Sequence, residues 1–336
     1  MSYKKSVLCF FHFPCPDGAT AAVALKHRLI ESNYLNNDFQ FSFCPITHYG
    51  SWDDLLPINY VEKNIEPKYE VHEIFIVDIC LSEVKLNQII NQLRYERKIT
   101  TKDNPPVICI DHHKTALEKI NEISLYCNEV FIKIAPGMSG ATLVWEYCNI
   151  RFNEDKDIPL MLKYVADQDL WEWELENSKE VNATINLNED RVEGIENEFI
   201  ESINNSQIWL ENSTLKGIGI SAMIDSQTRK TLSHTKRINY LDTHLLITNA
   251  TSFASETGNL LCEEFNKKPN CVAVIYTILD SGSVRCSFRS ISGGNKSARE
   301  IAEMFGGGGH ENAAGCRFNS FLDFAKAFNL IEYYNN

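Results

Sequence analysis

The chain begins with short, unbroken apolar runs separated by longer amphipathic segments. Ser6 to Phe13 is the first run, and GATAAVALKHRLIES at 18–32, which has helical composition, follows it. EIFIVDI at 73–79 is the second, ahead of LSEVKLNQIINQLRYERK, where Ser82 is placed to cap a helix. PVICID at 106–111 and EVFIKIA at 129–135 are the third and fourth. A strand buried on both sides has no polar face to alternate, so continuous β-branched runs between amphipathic helices predict a parallel sheet covered on both faces.

The segments MSGATLVWEYCNI and IPLMLKYVADQDLWEW, at 138–150 and 158–173, read as helices. A polar, irregular, helical stretch over 191–240 reads as a connector. A smaller α/β unit then follows, with strands at LLITNA, CVAVIYTIL and SVRCSFRS and helices at ASETGNLLCEEF and KSAREIAEMF. The expected domains are therefore 1–190, 191–240 and 241–336, which fits a chain of 336 residues, too long for one core.

Composition narrows the partners. The net charge of −13 argues against tracking along long duplexes, which calls for a basic face. The N-terminal apolar run is interrupted at His12, Pro14, Pro16 and Asp17, so neither a secretion signal nor a membrane span is expected. Eleven cysteines contain no C-x-x-C pair, and several lie in apolar runs. A cytoplasmic protein without structural zinc is the expectation.

The strand ends carry the chemistry. The first run ends in His12 with Asp17 close behind, the second in Asp78, the third in Asp111, His112 and His113. Ligand groups gather beyond the carboxyl ends of strands in an open parallel sheet. Each residue alone reads as a helix cap or a solvated loop group. Three strands delivering carboxylates and imidazoles to one rim instead call for a cation among them, because clustered like charges repel and desolvate at a cost of several kcal/mol. Mixed His and carboxylate donors suit Mn²⁺, Fe²⁺, Co²⁺ or Zn²⁺. Neighbouring His112 and His113 diverge, so one is expected to ligate while the other faces substrate. Asp167 and Asp169 do not share a helix face, and Asp167 is the expected ligand.

The stretches HFPCPDG, FIVDI, CIDHH and VADQD, with SFRS and GGGGHENAAG following, resemble in order and spacing the motifs of the DHH phosphoesterases, the superfamily of RecJ-like exonucleases. The resemblance covers nearly the whole chain. It implies a parallel-sheet catalytic domain, an associated C-terminal substrate-binding domain, and an active site in the cleft between them. It also implies two divalent ions, usually Mn²⁺, hydrolysing phosphodiester or phosphoanhydride bonds. His12, Asp17, Asp78, His112 and Asp167 are the expected ligands, with Asp78 bridging, Asp111 orienting His112, and His113 contacting the reacting phosphate. One departure stands out. The first motif of the family offers an Asp-x-Asp pair, and here either Cys15 stands where the first aspartate would be or Ala19 where the second would be, so one carboxylate is missing. The expectation is an inert Cys15 with one ion weakly held. The alternative is a thiolate ligand favouring Zn²⁺ or Fe²⁺.

FGGGGHENAAG at 305–315 is not a tether, since an amphipathic helix precedes it and a compact AAGCRF and a further helix follow. It lacks the lysine of a P-loop, and Glu311 breaks a dinucleotide fingerprint. It reads as a tight bend whose bare N–H groups approach an anion. The resemblance makes Gly307, Gly308, His310 and Arg289 the substrate contacts, with Ser287, Lys296 and Arg285 weaker candidates. The expected activity is release of mononucleotides from short oligonucleotides or linear dinucleotides, by a chain that a homodimer would suit. A polyphosphatase or pyrophosphatase, and a non-catalytic nucleotide-binding regulator, are the competing readings. Phe288 and Phe305 are the candidates for stacking on a base.

Overall fold

Five strands, β1 (Lys4–His12), β2 (Phe39–Ile46), β3 (Tyr69–Val77), β4 (Val107–Asp111) and β5 (Glu129–Ile132), form the first sheet in the order β2-β1-β3-β4-β5. All pairs in it are parallel. The computed structural model describes residues 4–35, 39–46, 69–188, 191–265 and 270–330. The expected parallel sheet is present, and β2 extends it at an edge that the apolar pattern did not mark.

Helix α1 (Pro16–Glu31) lies on this sheet, and its small residues Ala19, Ala21, Ala22 and Ala24 are all fully buried. Small side chains let α5 (Gly140–Phe152) approach α1 closely. The α1–α5 contact is fastened by Arg28, which is fully buried, donates to Asn149 and Glu154, and stacks 4.8 Å from the ring of Trp145. The sheet's other face packs on α2 (Glu83–Tyr95), capped by Ser82 as expected, with the short helices α3 (Lys114–Glu118) and α4 (Ile120–Ile123) after β4. Helices α6 (Leu160–Asp169), α7 (Ser178–Asn186) and α8 (Val192–Asn204) complete the first unit, with Phe199 of α8 buried in the α1–α5 core.

The chain divides into Met1–Ile220 and Ser221–Asn336, within the 27-residue helix α9 (Ser206–Leu232). Part of the segment expected as a connector thus belongs to the first unit's core. In the second unit, β6 (Lys236–Tyr240), β7 (Thr243–Asn249), β8 (Cys271–Ile278), β9 (Val284–Ser290), β10 (Gly308–Gly309) and β11 (Ala313–Phe318) form a sheet ordered β10-β11-β9-β8-β7-β6. Only β7 and β8 pair in parallel. Helices α10 (Ala254–Phe265), α11 (Ala298–Glu303) and α12 (Phe321–Ala327) accompany it. Among the described residues, no helix is long and apolar enough to cross a membrane.

Candidate metal centre

The centre is built where β1, β3 and β4 end. His12 closes β1, and Cys15 is the N-cap of α1, with an extended backbone and no side-chain capping bond. Asp78 follows β3 in the left-handed region at φ 57°, a conformation that costs a non-glycine residue on the order of 1–3 kcal/mol. Its N–H donates to Ile110 O at 2.9 Å, which ties that strained corner to β4. Asp111, His112 and His113 then leave β4, and His113 begins α3.

Asp78 is the focus. It is 1% exposed, its Oδ1 lies 3.1 Å from His112 Nε2, and its Oδ2 lies 3.4 Å from His12 Nδ1. Neither oxygen meets a donor in hydrogen-bonding alignment. Two glycine backbones make room for it: a Cβ on Gly140 would stand 2.7 Å from Oδ1, and one on Gly18 would stand 3.0 Å from Oδ2. Burial opposes the charge on Asp78, yet the His112 and His12 imidazoles hold its carboxyl well below the usual carboxylate range.

Asp17, in the first turn of α1, extends its carboxylate to the N-terminus of α5. Its Oδ1 accepts from Ser139 Oγ at 2.6 Å and from Ala141 N at 3.0 Å, and its Oδ2 accepts from Gly140 N at 2.6 Å. Oδ2 also lies 3.7 Å from His112 Nε2 and keeps a lone pair towards the cluster. Burial, then the Asp78 and Asp169 charges, push the Asp17 carboxyl well up. That mutual repulsion is what a cation among these groups relieves. Burial opposes a charge on His112, but Asp78, Asp169 and Asp17 outweigh it and raise the imidazole to about 11.

Three donor groups contain Asp78, and two of them, His12, Cys15 and Asp78, and Asp17, Asp78 and His112, have ligand atoms within 4.8 Å of one another and no internal hydrogen bond. The donor set and the buried Asp78 oxygens fit two neighbouring divalent cations. A third group, Asp78, Asp111 and His113, is already joined internally, because Asp111 Oδ1 meets His113 Nδ1 at 2.6 Å.

Two expectations change. Asp167 does not face the cluster: its Oδ1 accepts from Glu174 N at 2.8 Å and its Oδ2 from Leu175 N at 3.4 Å, folding the loop after α6. Asp169, the last residue of α6, points inward, with Oδ2 buried, outside any hydrogen bond, and 3.5 Å from His112 Nε2. Both aspartates lie in α6 and, two residues apart, leave it on different faces, so spacing alone does not say which of the two faces the cluster. Asp111 likewise orients His113, not His112. It accepts from the His113 ring and from both backbone N–H groups of His112 and His113, and Cys80 Sγ donates to its Oδ2 at 3.1 Å. Burial opposes a charge on His113, but Asp111 prevails and lifts it to about 9.

Trp171 and Trp173 belong to none of the sequence motifs. Both are half-buried, both have left-handed backbones at φ 59° and 56°, and their rings meet edge to face at 5.0 Å just beyond Asp169. Their only sequence signal is two large aromatics directly after the fourth motif.

In the second unit, FGGGGHENAAG folds as a β-hairpin. Gly308 and Gly309 pair with Gly315 and Ala314, and His310 N donates to Ala313 O at 2.8 Å to close the turn. Ala313 stands opposite Arg289 of β9, which brings Arg289 to the hairpin. The Arg289 guanidinium donates to Ser255 Oγ at 2.6 Å and Phe288 O at 2.8 Å, and Gly258 of α10 leaves room for its stem. Gly307 is a packing glycine, since a Cβ there would lie 2.1 Å from Gly315 O. Gly308 faces open space, and only its bare backbone fits the expected role of approaching a ligand. Phe288 is wholly buried and unsuited to stacking on a base, while Phe305 is half-buried with its ring 5.0 Å from that of Phe328 on the edge of the core. Lys296 pairs with Glu300 at 3.4 Å.

Residues 248–335, most of this second unit, match the DHHA1 domain. This match fits the resemblance of the strand-end motifs to the DHH phosphoesterases. The chain is 30% identical over 63% of its length to uncharacterized protein R106 of Acanthamoeba polyphaga mimivirus, covering 48% of that protein. It is 26% identical over 72% of its length to oligoribonuclease NrnB of Bacillus subtilis, covering 58% of it. The chain thus spans about half the length of these curated relatives. Among solved structures it resembles RecJ of Thermus thermophilus in complex with Mn²⁺, at 13% identity and a TM-score of 0.50, covering 98% of this chain and 52% of that one. This likeness is one of fold. The DHH triplet of this chain is Asp111-His112-His113, and the DHHA1 domain contains Arg289 and the glycine hairpin.

Proposed function

We propose that this chain hydrolyses phosphodiester bonds in short oligonucleotides or linear dinucleotides, releasing mononucleotides, with two divalent cations and Mn²⁺ as the activating ion. The observation that carries the reading is Asp78, a buried carboxylate whose oxygens have no aligned donor and which belongs to three donor groups. When bound, such ions polarise phosphoryl oxygens and lower the pKa of an attacking water. His12 would hold one ion, Asp17, His112 and Asp169 the other, and Asp78 both.

His113, held by Asp111 through Nδ1, would contact the reacting phosphate through Nε2 and offset its charge. Asp111 fixes that ring and keeps it protonated. Arg289, Gly308 and His310 of the DHHA1 domain would bind a second phosphate of the substrate. The half-buried rings of Trp171 and Trp173 favour a substrate with bases over polyphosphate, which has nothing to stack. The relative named an oligoribonuclease supports the same substrate class. The eleven free thiols suit the cytoplasm as its compartment.

The test offers purified protein, with Mn²⁺, a labelled five-nucleotide RNA, a linear dinucleotide and polyphosphate. Mononucleotides from the first two with polyphosphate intact is the expected result. Cleavage of polyphosphate alone would replace the reading with a polyphosphatase. Oligonucleotide binding without cleavage of any would make the chain a regulator.

A further inference from the structure

We propose that Cys15 is a metal ligand, and that with His12 and Asp78 it forms a thiolate-containing cation site that selects Zn²⁺, Co²⁺ or Fe²⁺ over Mn²⁺ and Mg²⁺. The inference rests on the two-ion reading above and refines it: one position is soft, while the other, built from Asp17, Asp78, His112 and Asp169, is hard.

The placement is specific. Cys15 Sγ, a ring nitrogen of His12 and an oxygen of Asp78 lie within 4.8 Å of one another. Donor atoms around a tetrahedral ion with bonds of about 2.0–2.3 Å stand roughly 3.3–3.8 Å apart, so closing on an ion needs only small side-chain movements. Asp78 supplies the independent sign of a missing partner, since it is 1% exposed and both of its oxygens lack an aligned donor.

The local fold aims the sulfur inward. Cys15 caps α1, a helix of 16 residues, without spending its side chain on the cap, and Pro16 follows at the first helical position. Gly18 lets the chain close over Asp78, because a Cβ there would lie 2.2 Å from His12 O and 3.0 Å from Asp78 Oδ2. Metal entry would form a sulfur–metal bond and break the S–H bond, with the proton passing to solvent. A thiolate at this position moves the donor set from oxygen-rich towards nitrogen and sulfur, the preference of zinc and cobalt rather than manganese.

The test uses the full chain stripped by a chelator and titrated with Co²⁺. The native protein should show a sulfur-to-cobalt charge-transfer band in the near ultraviolet. Cys15→Ser and Cys15→Asp should lose that band, while far-ultraviolet circular dichroism matches the native protein. In competition, Cys15→Asp should shift the preference for Zn²⁺ over Mn²⁺ by at least about tenfold towards Mn²⁺, the lower end of what disturbing a metal's surroundings costs. Co²⁺ binding without the band, or a band that survives in both variants, would overturn the role of Cys15 and leave the two-ion reading standing. No uptake of any divalent ion by the native chain would overturn both.

Discussion

Gly140 and Asp78 approach so closely that a Cβ on Gly140 would lie 2.6 Å from the Cβ of Asp78. The N-terminus of α5 therefore packs its backbone directly against the central carboxylate, and its N–H also donates to Asp17. Gly140→Ala should lower stability by about 1–3 kcal/mol, the usual cost of overpacking, and should weaken Mn²⁺ binding as Asp78 is pushed aside. Urea denaturation and calorimetric titration measure the two effects. Unchanged values for both would mean that this contact does not position Asp78.

The two aspartates at the end of α6 should separate binding from folding. Asp169→Asn should weaken Mn²⁺ binding with little change in stability, because Asp169 Oδ2 makes no hydrogen bond and faces His112. Asp167→Asn should instead cost about 1–2 kcal/mol of stability through its bonds to Glu174 and Leu175, and leave metal affinity nearly intact. Denaturation and titration of both variants would reveal the opposite assignment as readily as this one.

Asp111 is expected to act through His113. Asp111→Asn should lower kcat by about a hundredfold with KM little changed, since the ring loses both its anchor and the charge that keeps it protonated. The nitrogen chemical shifts of His113 should move towards the neutral imidazole in the same variant. A change confined to the His112 resonances would return Asp111 to the role expected from the sequence.

Within the glycine hairpin, the two candidate positions should behave differently. Gly307→Ala should destabilise the DHHA1 domain, because its Cβ would overlap Gly315 O. Gly308→Ala should fold normally, since nothing lies within 4 Å of the added Cβ, and should raise KM for a five-nucleotide RNA. Equal KM for native and Gly308→Ala would remove the hairpin backbone from substrate binding.

How much of this was legible in the sequence follows from the physics of each residue. β1, β3 and β4 declared themselves because strands buried on both faces must be continuously apolar, and their ends brought His12, Asp78 and Asp111 to one rim. β2 did not, since FQFSFCPI interleaves Gln, Ser and Pro among its aromatics at a sheet edge. The hairpin strands β10 and β11 were hidden because glycine, and to a lesser degree alanine, is depleted in strands, and these residues fill β10 and the first half of β11. The choice of Asp169 over Asp167, and of His113 over His112 as the partner of Asp111, depends on how the chain leaves a helix and a strand. Periodicity is silent there. The left-handed backbone of Asp78, which turns its carboxylate between two glycines, also has no signature in a single sequence.

Asp78 is the carboxylate that both proposed cation positions share, and its most direct test is mononucleotide release from a labelled five-nucleotide RNA in Mn²⁺ by the native chain and by Asp78→Asn. The variant keeps the shape of the side chain and removes the charge that both cation positions share. Release by the native chain and none by Asp78→Asn is the predicted result. Hydrolysis that persists in Asp78→Asn, or is missing from the native chain, would contradict it.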